Sequence, residues 1–488
     1  MTTTAISTLR QRAARGAAWM LPTSVGARMV GLLGTLVLAR YLAPQEYGVV
    51  MAASIAATTA SSVTTFGVGV YLVANAELSR AETFHASCWF LATGVVASLA
   101  TLALGGPLGR WSGAPGLTAF LPLLIASTLI ERVVYVPERI LVRHLRFGRL
   151  APARAAGELV FTGVSVLVAA CGGGAMAIAW GSLARSVCRF AAIVPAVNAR
   201  EWLEPHRLRA ATFARIVGYG IKVTMAGIAT MGMRRWDNLL VGRYFGAAAM
   251  GAYNYAYNLA DTPATAVGDQ VSDVIAASFP HVDRRRRADA LVRSCTLVSM
   301  IMCPLSIGLA AVAPTIVDVF FDAKWSGVGT MLMALSALSV ARPLASILES
   351  YFYTAHRPNV VLWLEWASLA GVMCAIAALS RTHVNAACVS VSAVFVLRTL
   401  AGMWIVCRQD GVAIADFLAP MMRPIAAGFA MAVGVVAVRA SLAAEAPAVR
   451  LVAEVAAGAA IYMCAVWMIA RSNCDELMRA LRLAVMTS

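Results

Sequence analysis

The sequence predicts an all-α polytopic membrane protein, with about fourteen transmembrane helices in two pseudo-symmetric lobes around a central cavity. The first observation is composition: 60% of the 488 residues are hydrophobic and 13% are charged, whereas a soluble domain carries about 25% charged residues. The second is spacing, because apolar stretches of roughly 20 residues, the length of a membrane-crossing helix, recur along the whole chain. The third is a short motif that occurs once in each half.

Each expected span is an apolar stretch of bilayer-crossing length. The first follows three arginines but runs to about Leu42, too long for the core of a signal peptide, so we expect a retained helix. Spans five and six are divided only by the glycine-rich turn 171–175. In chain order the spans are expected at 17–40, 48–75, 84–108, 116–137, 154–171, 175–197, 214–238, 248–279, 290–320, 328–354, 360–380, 384–406, 421–440 and 448–470.

Basic residues distinguish the two sides of the membrane. If the N-terminus is cytoplasmic, the opposite loops hold Arg40, Arg110, Arg243, Lys324 and Arg381, and the cytoplasmic loops hold several times as many arginines. Short loops rich in basic residues stay in the cytoplasm. With an even number of spans, both termini are therefore expected in the cytoplasm.

The same composition excludes several classes of function. The net charge is +16, but the arginines cluster in short loops between apolar helices, which is typical of membrane loops and not of a nucleic-acid surface. No GxxxxGK[ST] phosphate loop is present, so the chain has no nucleotide-driven motor of its own. Its ten cysteines show neither CxxC nor Cys/His spacing. We therefore expect no metal and no cofactor.

A motif at the junction of spans one and two recurs at the junction of spans seven and eight. Segment 38–50, LARYLAPQEYGVV, aligns without a gap to the first thirteen residues of 241–254, VGRYFGAAAMGAYN, 203 residues later. This offset matches Arg40 to Arg243 and Gly48 to Gly251. An even number of spans between the copies gives both halves the same orientation.

The repeat predicts how the chain is divided. We expect an N-terminal lobe over 1–213 (spans one to six), a C-terminal lobe over 214–420 (spans seven to twelve) and a final helix pair with a tail over 421–488. Parallel repeats with a cavity between them are a transporter architecture, in which substrate binds at the repeat interface near the middle of the membrane.

Several ionisable residues lie near the middle of expected spans, where each is costly and usually serves a pathway. Arg28 lies in span one, Arg185 in span six, Lys222 in span seven and Arg342 in span ten. A guanidinium at this depth either binds an anionic group through paired hydrogen bonds or joins two helices in an ion pair. We predict that all four bind substrate; for Lys222, ion coupling and snorkelling to the surface are the alternatives.

Span eight carries the other candidate residues. Asp269 and Asp273 stand one turn apart on one face, and Asp261 precedes them. Paired carboxylates on a transport helix suit proton or sodium coupling or gating; alternatively they neutralise buried cations. Tyr253 and Tyr257 are also one turn apart. They either stack against sugar faces or anchor the helix at the membrane surface.

Other charged residues lie nearer the cytoplasmic side. We expect gate ion pairs among Glu131, Arg132, Glu158, Glu349 and Glu365. Arg398 in span twelve lies at a depth similar to that of Arg342, and it is a weaker candidate for the cavity.

Two stretches carry a family resemblance. Residues 14–50, ARGAAWMLPTSVGARMVGLLGTLVLARYLAPQEYGVV, resemble the opening of bacterial polysaccharide flippases of the Wzx type, in the MOP exporter superfamily. Residues 234–280 resemble the start of their second lobe. The resemblance implies an inner-membrane protein that works by alternating access on oligosaccharide repeat units linked to polyprenyl pyrophosphate. It also implies delivery to the outer leaflet, where a polymerase and chain-length machinery assemble surface polysaccharide or O-antigen.

Rival functions remain open on sequence grounds. Within the superfamily they are a peptidoglycan-precursor flippase and a drug/cation antiporter, and a cationic cavity disfavours drug cations. A membrane polymerase or ligase needs a sizeable outward loop for its catalytic groups, whereas the outward loops here are about ten residues or shorter. A scaffold without transport would not need charges at depth. The expected partners are the lipid-linked oligosaccharide and membrane lipids.

Overall fold

A computed structural model describes Gly26 and residues 29–74, 78–278 and 284–469. The structure is 87% helical, and the described residues include no strand. The all-α class is therefore confirmed. In chain order the helices are α1 Met29–Tyr41, α2 Pro44–Val63, α3 Val68–Ala74, α4 Arg80–Trp111, α5 Leu121–Arg143, α6 Phe147–Ala170, α7 Met176–Ile193, α8 Ala210–Phe245, α9 Ala247–Ser278, α10 Arg284–Phe320, α11 Gly327–Leu335, α12 Leu338–Thr354, α13 Pro358–Ala378, α14 Val384–Asp410, α15 Ile414–Ser441 and α16 Pro447–Ile469.

The helices are long and apolar enough for a polytopic membrane protein. Within the described ranges, eight helices can each cross a bilayer, and ten spans result if two bent helix pairs count as one span each. The first pair consists of the two parts of α8, 210–218 and 223–245, with a bend of 58° between them. The second pair consists of segment 323–335, which ends with α11, and of α12, with a bend of 43° between them. Every expected span overlaps a helix or a consecutive pair, and the count of about fourteen stays a prediction.

The chain divides into two compact units, Met1–Gly251 and Ala252–Ser488. In the first unit α8 packs on α2 and α3, and its Gly220 touches the backbone of Gly67 so closely that a Cβ on either glycine would clash with the other. The expected lobe boundary at 213/214 assigns α8 to the second lobe, and this two-lobe assignment stays a prediction.

The glycines of the repeated motif contact each other. A Cβ on Gly48 would clash with the carbonyl oxygen of Ala247, and a Cβ on Gly251 would clash with that of Pro44. Each added Cβ would also lie 3.1 Å from the backbone nitrogen of the other glycine. The first turns of α2 and α9 thus meet backbone to backbone, which requires glycine at both positions.

The second unit contains the final helix pair, α15 and α16, which packs on α10. The fully buried Glu454 of α16 holds the three helices together. Its Oε1 accepts hydrogen bonds from Thr315 Oγ1 at 2.8 Å and from Arg439 Nε at 3.0 Å. Large apolar side chains face outward on α13, α15 and α16; Trp363, Val433 and Met468 are more than 70% exposed. Such a surface suits lipid.

Candidate functional site

The first unit has an open cavity of about 220 Å³ between α2, α5 and α7. Along α2 and α5 the lining residues follow each other at three- and four-residue spacing, so each helix contributes a single face. Most of the lining is polar. Seven hydroxyl side chains, one carboxylate and one guanidinium line it, namely Ser54, Thr58, Ser61, Ser62, Ser127, Thr128, Ser182, Glu131 and Arg185.

Three of these hydroxyl groups donate their proton to their own helix. Thr58 Oγ1 donates to the carbonyl oxygen of Ser54 at 2.7 Å, and Thr128 Oγ1 donates to that of Ile125 at 2.9 Å. Ser182 donates to Ile178 O at 2.8 Å. Ser127 of α5 bonds to α7, where its Oγ lies 3.0 Å from Ser182 O and 2.7 Å from the Ser186 hydroxyl group. A hydroxyl group that donates to its own helix offers lone pairs to a ligand.

The charged residues of the cavity belong to ion pairs that join α5, α6 and α7. Arg185 Nη1 lies 3.4 Å from Glu158 Oε1, and its guanidinium lies 4.8 Å from the centre of the Phe161 ring. Glu131 Oε2 accepts a hydrogen bond from Arg189 Nη1 at 2.6 Å. No described residue donates a hydrogen bond to the buried Glu131 Oε1.

Glu138 lies at the centre of this cluster. It is 4% exposed and accepts hydrogen bonds from Arg154 of α6 and Arg189 of α7. Arg139 Nη2 also lies 3.8 Å from Glu138 Oε1, so three guanidinium groups surround the carboxylates of Glu131 and Glu138. The cluster joins three helices through paired charges.

Arg132, the neighbour of Glu131, has a different role. Its guanidinium donates to the carbonyl oxygens of Ser61 at 2.5 Å and Phe90 at 3.1 Å, and also to the Thr64 hydroxyl group. The side chain is 4% exposed and joins α2 and α4 to α5. It thereby satisfies carbonyl groups at the end of α2, where the chain unwinds over 64–67.

In the second unit, Arg342 of α12 forms an ion pair with Asp261 of α9. The Arg342 guanidinium lies 5.3 Å from the ring centre of Tyr257 and 5.0 Å from that of Phe395. Arg342 is 6% exposed. Aromatic faces and a carboxylate thus surround this buried cation.

A second ion-pair cluster joins α12, α13 and α14. Arg398 Nη2 donates to Glu365 Oε1 at 2.6 Å and to Glu349. Among the residues expected to form gate ion pairs, all four glutamates are paired with arginine, whereas Arg132 contacts carbonyl and hydroxyl oxygens.

The same type of turn follows α5 in the first unit and α12 in the second. Leu145 and His356 each have positive φ, 54° and 59°, in the turn after α5 and after α12. The next residue, Arg146 or Arg357, donates its backbone N–H to the carbonyl five residues back, at 2.9 or 2.8 Å. These turns lie 211 residues apart and set α5 and α12 in register.

This register relates the cavity to the second-unit ion pair. Glu131 and Arg342 both stand fourteen residues before the positive-φ residue. The motif offset of 203 residues pairs Thr58 with Asp261. If the repeat is real, two residues that line the cavity, Glu131 and Thr58, correspond to the two members of the ion pair, Arg342 and Asp261.

The structure places the predicted site residues in different parts of the chain. Arg185 lines the cavity, whereas Arg342 forms an ion pair with Asp261 and its guanidinium lies over the Tyr257 ring. Tyr253 and Tyr257 have ring centres 5.7 Å apart and are 0% and 3% exposed, so stacking on a sugar would require another conformation. Arg28 lies outside the described residues, and so do the side chains of Lys222, Asp269 and Asp273.

Sequence reasoning missed the hydroxyl groups of the cavity and the partners Glu138, Arg154 and Arg189. A signal was present for one of them, because Arg185 and Arg189 are four residues apart on α7 and share a face. The serine and threonine residues of α2 also follow a helical spacing.

Comparisons with known proteins agree with this architecture. A family described as "Polysaccharide biosynthesis protein" matches residues 37–329. The chain is 26% identical to the succinoglycan biosynthesis transport protein ExoT of Rhizobium meliloti (strain 1021), over 95% of this chain and 94% of that protein. It is 23% identical to the lipopolysaccharide biosynthesis protein WzxC of Escherichia coli (strain K12), over 70% of each.

Solved structures share the fold at low sequence identity. The lipid II flippase MurJ, in an inward closed conformation, superposes with a TM-score of 0.75 at 12% identity, over 92% of this chain and 98% of MurJ. An inward-facing multidrug resistance MATE family transporter of the MOP superfamily gives a TM-score of 0.62 at 14% identity, covering 82% and 95%. The fold is therefore that of MOP superfamily transporters.

Proposed function

Because the chain belongs to the polysaccharide biosynthesis protein family, we propose that it carries oligosaccharide repeat units linked to polyprenyl pyrophosphate across the bacterial inner membrane. The chain is a multi-span membrane transporter and not an enzyme. The match of the family to residues 37–329 is the observation that carries the proposal. A relative named as a succinoglycan transport protein, which matches over 95% of the chain, supports a saccharide as cargo.

Transport runs from the cytoplasmic to the periplasmic leaflet by alternating access. Saccharides bind from the cytoplasmic side, the polyprenyl tail stays in lipid, and rocking of the helix bundles exposes the head group to the periplasm. Both termini are cytoplasmic. Product then passes to a polymerase and its chain-length machinery, and either this removal of product or an ion gradient drives net transport.

The predicted site residues divide these tasks. Arg28, Lys222 and Arg342 bind the pyrophosphate, since guanidinium and ammonium groups form strong hydrogen bonds with phosphate oxygens. Arg342 reaches it only after separating from Asp261. Arg185 binds substrate in the first-unit cavity, Tyr253 and Tyr257 stack on sugar rings once uncovered, and Asp261, Asp269 and Asp273 couple an ion or gate.

The test is the leaflet distribution of lipid-linked repeat units in cells with and without this chain. Loss of the chain should accumulate repeat units in the cytoplasmic leaflet and abolish surface polysaccharide. The wild type should restore both, Arg28→Lys should restore part, and Arg28→Ala none. Repeat units that reach the outer leaflet without the chain and stay unpolymerised would contradict the proposal and assign the chain a step after translocation.

A further inference from the structure

We infer that the first-unit cavity, lined by α2, α5 and α7, is a subsite for a sugar ring and not for the pyrophosphate. This inference rests on the proposed function and names the part of the substrate that the cavity accepts. It is drawn from three properties of the cavity: the direction of its hydrogen bonds, its charge and its size.

Three hydroxyl groups of the cavity present acceptors to a ligand. The protons of Thr58, Thr128 and Ser182 point to carbonyl oxygens of their own helices. Their free lone pairs match groups that donate, such as sugar hydroxyl groups. A pyrophosphate has acceptor oxygens, so it would place lone pairs against lone pairs and leave buried acceptors without donors, which is costly.

The charges of the cavity also favour a sugar ring over a pyrophosphate. One carboxylate and one guanidinium line the cavity, and Arg185 already lies beside Glu158. A pyrophosphate would meet the Glu131 carboxylate at close range, which is repulsive in a partly buried site. A sugar hydroxyl group would instead donate to Glu131 Oε1, the buried oxygen that receives no hydrogen bond from any described residue.

The volume of the cavity is that of one sugar ring. At roughly 30 Å³ per water molecule in the liquid, about seven waters would fill the cavity of about 220 Å³. The cavity is open to its surroundings, so one sugar ring fits inside it and the rest of a repeat unit would extend out of it. The cavity therefore accepts one ring of the glycan, while cations elsewhere hold the anionic head.

The experiment compares two ligands on purified full-length protein. One is the lipid-linked repeat unit extracted from the producing strain, and the other is polyprenyl pyrophosphate without a glycan. Native mass spectrometry measures the affinity for each. The variant Thr58→Val/Thr128→Val removes two acceptors at nearly constant shape, and Glu131→Gln replaces the carboxylate with an amide that still accepts from Arg189. Thr296→Val is the matched control, because Thr296 donates to Val292 O at 2.9 Å on α10 in the other unit.

We expect the double variant to bind the glycosylated lipid about tenfold more weakly, as the loss of two hydrogen bonds implies, and to bind the bare lipid as the wild type does. Glu131→Gln should show the same discrimination, and Thr296→Val should bind both lipids like the wild type. Equal weakening for both lipids would overturn the inference and assign the cavity to the head group. Unchanged binding of both by the double variant and by Glu131→Gln would also overturn it. A wild-type protein that binds neither lipid would instead refute the proposed function itself.

Discussion

Arg342 in the second unit has two roles. Its ion pair with Asp261 stabilises the fold, and we also propose that Arg342 binds substrate. Arg342 is 6% exposed, so its charge depends on the carboxylate and on the faces of Tyr257 and Phe395. A buried cation that loses its carboxylate is strongly destabilising, whereas removing both charges is often close to neutral. Stability and transport can therefore be separated at this pair.

We predict that Asp261→Asn lowers the free energy of unfolding by up to roughly 3–5 kcal/mol, because it leaves Arg342 buried without its carboxylate. The double variant Asp261→Asn/Arg342→Gln should regain most of this stability without regaining export. Thermal unfolding in detergent and export in a deletion strain measure the two effects. A fully active double variant would remove Arg342 from the substrate path, and wild-type stability of Asp261→Asn would show that the ion pair is dispensable.

Single residues show where sequence reasoning succeeds and fails. Arg185 and Arg342 are recognisable from sequence because a charge inside an apolar span is costly wherever its partner lies. Their partners are not recognisable, since Glu158 and Asp261 lie 27 and 81 residues away and pairing depends on which helices become neighbours. The direction of a hydroxyl hydrogen bond, on which the cavity's selectivity rests, is likewise a property of the folded helix.

At the scale of helices, the contact between α2 and α9 depends on two glycines. Gly48→Ala and Gly251→Ala should each cost about 1–3 kcal/mol, because the added methyl group meets a backbone carbonyl oxygen that cannot rotate away. Gly163→Ala on α6 is the control: apart from the backbone of its own helix, its Cβ would have no atom within 4 Å, and alanine favours a helix by up to about 1 kcal/mol. Thermal unfolding of the three variants tests this, and equal stability for all three would show that the helices separate at no cost.

The sequence predicts the helices correctly where hydropathy alone determines them. It does not predict the positions at which a helix is interrupted. Span 48–75 was expected as one helix but is α2 and α3, because Phe66 and Gly67 take positive φ and α8 approaches closely there. Span 328–354 likewise divides at 336–337 between α11 and α12. A hydropathy pattern continues through such a break, since the residues on both sides are apolar and the cause is a packing contact from a distant helix.

For the molecule as a whole, α5 of the first unit and α12 of the second end in the same type of turn but carry different charges. The shared turn after α5 and α12 keeps their charged positions in register, yet equivalent positions hold Glu131 beside a cavity and Arg342 inside an ion pair. At this one position a carboxylate in the first unit stands where the second unit has a guanidinium. Such a difference suits the proposed substrate, which has a polar glycan at one end and an anionic head at the other.

The distribution of basic residues predicts the orientation of the chain in the membrane, and this orientation determines from which side the cavity is filled. We predict that a cysteine at position 110, near the C-terminal end of α4, is labelled in intact cells by a thiol reagent that cannot cross the membrane. A cysteine at position 146, in the turn after α5, should be labelled only after the membrane is permeabilised. Both positions are exposed, so labelling reports the side of the membrane and not burial. The ten native cysteines must first be replaced, with export retained as the control for correct insertion. Labelling of 146 but not 110 in intact cells would invert the topology, and with it the direction of transport proposed for this chain.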